Sequence, residues 1–325
     1  MGMARFGILT SGGDAPGMNS AIRAAVRAGT TIGHEIVGYL DGYSGLVAGQ
    51  FVELDDRAVG NIIQRGGTII GTSRCPEFLD PAVRAAAAQR MRDDGVQGLI
   101  VIGGDGSFRG ALALQDETGI PVAGVPGTID NDVYGTDESI GFDTAVNTAL
   151  RAVDHLRDTG ESTGMIFYVE VMGRTSGAIA LHTALAAGAV GVLVPESKSD
   201  LDDLVRRIEA TFARGKRSQI IVVAEGDEAG GAFAVAQQVA EQLDHEFRVV
   251  VLGHTQRGGS PTARDRIVAA QCGALALEAL AAGRSGIMVG MRRRRPVEVP
   301  LAEVVTHGHP DPPFELLDLA KRIAG

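Results

Sequence analysis

The sequence predicts an α/β protein with mostly parallel sheets. Seven short runs, nearly continuous in Val, Ile and Leu, recur along the chain, and segments of helical period lie between them. Such runs suit strands covered on both faces, as in a parallel sheet flanked by helices. Glycine is the third observation: 45 of 325 residues, about 14% against a usual ~7%, without a collagen-like period. The excess therefore belongs in loops or close packing.

In chain order, strands are expected at FGILT (6–10), LIVIGG (99–104), VAGVPG (122–127), MIFYVEV (165–171), GVLVPE (191–196), IIVVAEG (220–226) and RVVVLG (248–253). The first helix is expected at about 17–29, where Ile22 and Val26 stand one turn apart. Further helices are expected at about 81–94, 141–157, 174–187, 200–214, 231–244, 262–283 and 313–324. At ~150 residues per domain, a chain of 325 residues makes about two domains, and a boundary is expected near residue 140. No short repeat period is present, which excludes solenoids.

The formal net charge is −10, from 40 acidic and 30 basic residues, and Trp is absent. A nucleic-acid binder needs a basic face and, for single strands, aromatic platforms, so that class is excluded. An anionic small molecule is not, because a few arginines make a local positive pocket. Cys75 and Cys272 are too few for a disulfide framework, and the expected compartment is the cytoplasm. No apolar stretch reaches the ~18 residues of a membrane span, and no signal-type segment precedes the strand at 6–10.

The glycines gather at strand exits. TSGGDAPGMN (10–19) follows the first strand, where Gly12 and Gly13 permit close backbone approach and the next helix directs free N–H groups at the loop. A plain strand–helix turn uses the same residues. GGDGS (103–107) follows another strand and leaves the backbone bare around Asp105, a carboxylate placed to hold a divalent cation beside phosphates. Neither a Walker A loop nor GxGxxG occurs there. PGTIDND (126–132) sets Asp130 and Asp132 around Asn131 beside Thr128. A carboxylate next to a metal–phosphate site can act as general base to a hydroxyl, and an Asx-turn or helix cap uses the same residues.

Taken together with RGGTIIGTSRCPEF (65–78), VEVMGR (169–174) and LGHTQRGGSP (252–261), these motifs make the chain resemble the bacterial type of ATP-dependent 6-phosphofructokinase over nearly its whole length. GGDGS alone is less specific, since NAD kinases and diacylglycerol kinases carry something similar; PGTIDND and VEVMGR separate this chain from them. The resemblance implies two Rossmann-like α/β domains with a cleft between them. It assigns 1–141 with about 256–306 to ATP and 142–255 with about 307–325 to the sugar phosphate. Gly13, Arg74, Cys75, Gly104, Asp105, Gly106, Ser107 and Gly110 would line the ATP site, with Asp105 serving Mg²⁺. Cys75 would be a wall, not a nucleophile. Asp130 would take the proton from the sugar 1-hydroxyl, helped by Thr128 and Asp132, with Ile129 beside them. Met172, Gly173, Arg174 and Glu225 would hold the sugar, and Arg248, His254 and Arg257 its 6-phosphate. Arg74 and Arg174 would also neutralise charge on the phosphoryl group in transfer. The resemblance further implies a homotetramer acting on ATP and fructose 6-phosphate in glycolysis.

Pyrophosphate-using relatives carry Asp at the position of Gly106 and Lys at that of Gly127, so two glycines here predict ATP as donor. Two departures stand out. Met165 occupies the place of an arginine that reaches the 6-phosphate of a neighbouring subunit, which predicts weaker acceptor binding or another sugar phosphate. Arg23, Arg27, Arg157 and Lys216 match an effector site for ADP or phosphoenolpyruvate, but Val190 replaces its metal-binding glutamate and Asp56 an arginine. Allosteric control by these ligands is therefore expected to be weak or absent. Arg292–Arg295 reads as a solvated turn, and His307 and His309 are a weak metal signal. The rivals are a kinase of the same family with another donor or acceptor, and a binding regulator without catalysis.

Overall fold

The computed structural model describes residues 2–309 and 314–324. The alternation begins with β1 (Arg5–Thr10), α1 (Met18–Thr31), β2 (Glu35–Tyr39), α2 (Tyr43–Ala48), β3 (Phe51–Glu53), α3 (Pro81–Asp93), β4 (Val96–Gly103), α4 (Asp105–Thr118) and β5 (Val122–Pro126). It continues with α5 (Phe142–Thr163), β6 (Ile166–Val171), α6 (Ala178–Ala187), β7 (Gly191–Leu193), α7 (Leu201–Ala213), β8 (Gln219–Ala224), α8 (Ala232–Ala240) and β9 (Phe247–Val251). The last elements are α9 (Ala263–Ala281), β10 (Ile287–Arg292), β11 (Arg295–Pro300), α10 (Leu301–His307) and α11 (Phe314–Ile323).

The chain forms two compact units. The first comprises 1–128, 132–143 and 257–310; the second comprises 129–131, 144–256 and 311–325. The first holds a seven-stranded sheet of order β11-β10-β5-β4-β1-β2-β3. Its inner five strands run parallel, and β3 and β11 close the two edges antiparallel. The second holds a wholly parallel four-stranded sheet of order β7-β8-β6-β9. This is the α/β architecture expected, with mostly parallel sheets.

Burial explains the strand composition. Leu99 to Ile102 of β4 and Ile220 to Ala224 of β8 are almost fully enclosed, so both faces must be apolar. The helices bury one stripe each: in α1 it is Met18, Ala21, Ile22, Ala25, Val26 and Gly29. Local chemistry sets several helix starts. Asp80 accepts from Ala82 N ahead of Pro81 in α3, Asp200 caps α7, and Thr262 caps α9.

Several elements lie outside the expected set. The β2–α2–β3 stretch, α4, the β10–β11 hairpin and α10 had no strong pattern. At the hairpin tip Arg293 and Arg294 both take left-handed backbone, φ 51° and 63°. That is the twist a two-residue hairpin loop requires, held by Arg293 N donating to Asp137 Oδ2 at 2.6 Å. The arginine run is thus a turn. His307 stacks on Tyr134 with ring centroids 4.3 Å apart, and His309 pairs with Asp132. No helix among the described residues is long and apolar enough to cross a membrane.

Candidate active site

Both sheets reverse strand order beside a central strand, and such switch points open a crevice at the carboxyl ends of the strands. In the first unit the switch lies between β1 and β4. All three glycine clusters leave the carboxyl ends of β1, β4 and β5 there. Ser11 N donates to Ile102 O and Gly127 N to Gly103 O, so the three exits are tied backbone to backbone.

Asp105 opens α4. Its Oδ2 meets Arg109 at 2.5 Å, while its Oδ1 is enclosed and has no hydrogen-bond partner among the described residues. An enclosed carboxylate oxygen without a donor is the kind of group a divalent cation satisfies. No cluster of three His, Cys, Asp or Glu suited to a metal occurs among the described residues. A metal here would therefore take Asp105, phosphate oxygens and water, the usual pattern for Mg²⁺.

Around Asp105 the loops close tightly. Ser107 is buried on the first turn of α4, and Tyr43 Oη donates to its carbonyl at 2.6 Å. Burial pushes the Tyr43 phenol well above its usual range, so it stays a neutral donor. Its ring stacks on Phe78 at 4.1 Å and lies under Gly110. Gly104 faces Thr128, whose carbonyl accepts from Ser139 Oγ at 2.6 Å. Gly106 borders open space.

Arg74 is exposed and Cys75 half-buried, on an irregular segment with no strand of its own. Side chains of β1 and α1, and one of the segment's own, hold that segment. Thr10 Oγ1 donates to Gly71 O, Asn19 bonds to Arg65 O, Gly66 O and Ile69 N, and Thr72 Oγ1 donates to Gly12 O. Arg257 also belongs to this unit. It is buried, and its Nη1 donates to Asp14 O at 3.0 Å above Gly13.

In the second unit the switch lies between β6 and β9. β6 runs into Met172, Gly173 and Arg174, and Arg174 takes left-handed backbone at φ 54°. Such a conformation in a non-glycine residue costs of order 1–3 kcal/mol and persists only where its surroundings enforce it. Two neighbours at the end of β8 enforce it. Glu225 Oε1 accepts from Arg174 N at 2.8 Å and Gly173 N at 3.3 Å. Gly226 lies so close that a β-carbon there would fall 2.9 Å from the carbonyl carbon of Arg174.

Asp130 belongs to the same unit and is 3% exposed. Its Oδ2 lies 3.9 Å from Arg174 Nε, and its carbonyl accepts from Ser176 Oγ at 2.8 Å. Ile129 is fully buried beside it. Asp132, in the first unit, turns to His309 at 3.2 Å. His254 stands exposed on the 3-10 turn Gly253–Arg257 after β9. Arg248 stands apart: it projects from edge strand β9, exposed, with Glu246 at 3.8 Å.

Arg23 and Arg27 lie on α1, where Arg27 meets Asp56 at 4.0 Å. Arg157 donates to Ala187 O in the second unit, which also carries Lys216. Tyr43, Asn19, Ser176 and Gln256 were not anticipated. Asn19 and Gln256 stood inside motifs already singled out; being polar and buried is the signal that marks them.

A family profile described as phosphofructokinase matches residues 5–280. Over 303 residues the chain is 54% identical to ATP-dependent 6-phosphofructokinase 1 of Thermus thermophilus, covering 93% of this chain and 94% of that protein. It is 52% identical over 307 residues to ATP-dependent 6-phosphofructokinase of Lysinibacillus sphaericus, covering 94% and 95%. The crystal structure of Pichia pastoris phosphofructokinase in the T-state superposes with a TM-score of 0.88 at 34% identity. That match covers 99% of this chain and 39% of the Pichia chain.

Proposed function

The chain belongs to the phosphofructokinase family, and on that premise we propose that it transfers the γ-phosphoryl group of ATP to the 1-hydroxyl of D-fructose 6-phosphate, giving fructose 1,6-bisphosphate and ADP. The observation that carries the chemistry is Asp130: an enclosed carboxylate 3.9 Å from Arg174 Nε, on the unit that also holds the Glu225-bound turn.

Asp130 takes the proton as the hydroxyl oxygen attacks the γ-phosphorus. One P–O bond forms, the bond to the β-phosphate oxygen breaks, and ADP leaves with the electron pair. Phosphoryl transfer is governed by positioning and charge neutralisation, and Arg174 and Arg74 supply cationic forks for the latter. Thr128 and Asp132 help place the hydroxyl. Met172, Gly173, Arg174 and Glu225 hold the sugar, and His254, Arg248 and Arg257 bind its phosphate.

The first unit is the donor half. Gly13, Arg74, Cys75, Gly104, Gly106, Ser107 and Gly110 line the nucleotide, and Asp105 would hold the divalent metal the transfer needs, which we take to be Mg²⁺. When bound, such an ion would supply charge neutralisation to the phosphates in transfer. Open space at Gly106 supports ATP over pyrophosphate, as do the names of the relatives. The assembly is read as a homotetramer, which light scattering of the eluted protein tests, and the compartment as the cytoplasm. A coupled assay offering ATP or pyrophosphate against a panel of sugar phosphates tests the function. Turnover with fructose 6-phosphate and ATP is expected; turnover with another pair only overturns it.

A further inference from the structure

Gln256 lies between His254 and Arg257 and is fully enclosed, at 0% exposure. Its Oε1 accepts from Met172 N at 2.8 Å. Met172 begins the turn that leads into the left-handed Arg174. The bond therefore joins the exits of β6 and β9, the adjacent strands that flank the switch point of the second unit. Its Nε2 is enclosed and lacks a hydrogen-bond partner among the described residues.

Stability does not account for this side chain. A bond made and an enclosed donor left without one contribute about equal and opposite amounts, so the balance is near zero. Register does account for it. Glu225 fixes Gly173 N and Arg174 N from the β8 side, and Gln256 fixes Met172 N from the β9 side. Three successive amides are thus held by two side chains from different strand exits.

We propose that Gln256 is a positioning residue of the acceptor half: its side-chain carbonyl sets the register of the Met172–Arg174 turn against the His254 segment. This rests on the acceptor reading given above for that unit. The group it positions binds sugar phosphate, so its loss weakens acceptor binding and leaves the nucleotide half unchanged.

The test compares the full chain with three variants. Gln256→Met keeps the volume and removes the acceptor. Gln256→Asn, one methylene shorter, draws the carbonyl out of reach and serves where the first fails to fold. Gln256→Glu keeps an oxygen in place. The first two are expected to raise KM for fructose 6-phosphate about tenfold, the order expected for an enclosed amide left unpaired, with KM for ATP within about twofold. Gln256→Glu is expected to restore most of the loss. Amide exchange at Met172 supplies a readout independent of turnover: about tenfold faster in the first two variants, near wild type in the third. Unchanged exchange, or KM values for both substrates rising together, overturns the proposal. Absence of turnover in the wild type, with Met172 exchange responding as expected, overturns the functional reading and leaves the register in place.

Discussion

The guanidinium of Arg257 fills the space that a side chain at Gly13 would need. A β-carbon at Gly13 would lie 2.7 Å from Arg257 Cζ, and Arg257 Nη1 is held there by Asp14 O. The obstruction is the end of a flexible side chain, so Gly13→Ala should fold and should expel the arginine. Loss of the bond to Asp14 O should lower the melting temperature by a few degrees, and loss of the proposed charge-assisted bond to the substrate phosphate, worth about 1.5–3 kcal/mol, should lower kcat/KM roughly ten- to hundredfold. Unaltered kinetics would show that this placement of Arg257 is irrelevant to turnover.

Asp130→Ser removes the proposed base and leaves its carbonyl bond to Ser176 Oγ available. Turnover should drop by at least 10²-fold, the lower range for general-base catalysis, while calorimetry still detects both substrates. Full activity would refute the assigned base.

Gly106 borders empty space on the first turn of α4, where an acidic side chain is favourable to the helix. Gly106→Asp should therefore leave stability within about 0.5 kcal/mol. It should nevertheless raise KM for ATP by tenfold or more, because the side chain enters the space proposed for the donor. A variant that keeps its ATP affinity would place the nucleotide elsewhere.

Met165 is half-buried ahead of β6, and its carbonyl accepts from Gln219 N. That backbone bond survives substitution. Met165→Arg restores a charged donor and should lower the half-saturating concentration of fructose 6-phosphate roughly ten- to hundredfold. No shift in a saturation curve would sink the assignment of this position to the phosphate.

Alkaline stability should be limited by enclosed neutral groups. Burial pushes the Cys272 thiol up to about 12, and the Tyr39, Tyr43 and Tyr168 phenols are raised for the same reason. For Cys272 the folded value lies above the unfolded one. Its contribution is complete below pH ~8.5 and is lost as pH rises towards about 12. Urea titrations from pH 8.5 to 11 should show a falling free energy of unfolding, and Cys272→Ala should flatten part of the slope. A level profile would contradict it. In the folded protein a thiol reagent at pH 8 should label Cys75 and spare Cys272.

Much of the architecture was legible because enclosed parallel strands must be apolar at every position. The elements missed lack such a signal. Gly106 and Gly110 depress the helical propensity of α4, which is held by the packing of Phe108, Ala111 and Leu114. The β10–β11 loop is Arg-Arg, where hairpin chemistry leads one to look for Asn-Gly. The motifs of the site were visible as residue types, and their strand-exit positions followed. Two relationships were not: Arg257 with Asp14, 243 positions apart, and Gln256 with Met172, 84 apart. The second depends on β6 and β9 becoming neighbours and the first on which loops come together, and no local pattern encodes either.

The strand order separates what must be conserved from what is free to diverge. The registers of β1, β4 and β5 fix where the three glycine-rich loops, the donor loops of the proposed reaction, emerge, and a one-residue slip would turn whole strands inside out. Gly106 lies beyond those registers, against open space. A change of phosphoryl donor is therefore a matter of loop chemistry, within reach of a few substitutions that leave the sheet untouched. In evolutionary terms, one scaffold can pass between energy currencies without first having to relearn how to fold.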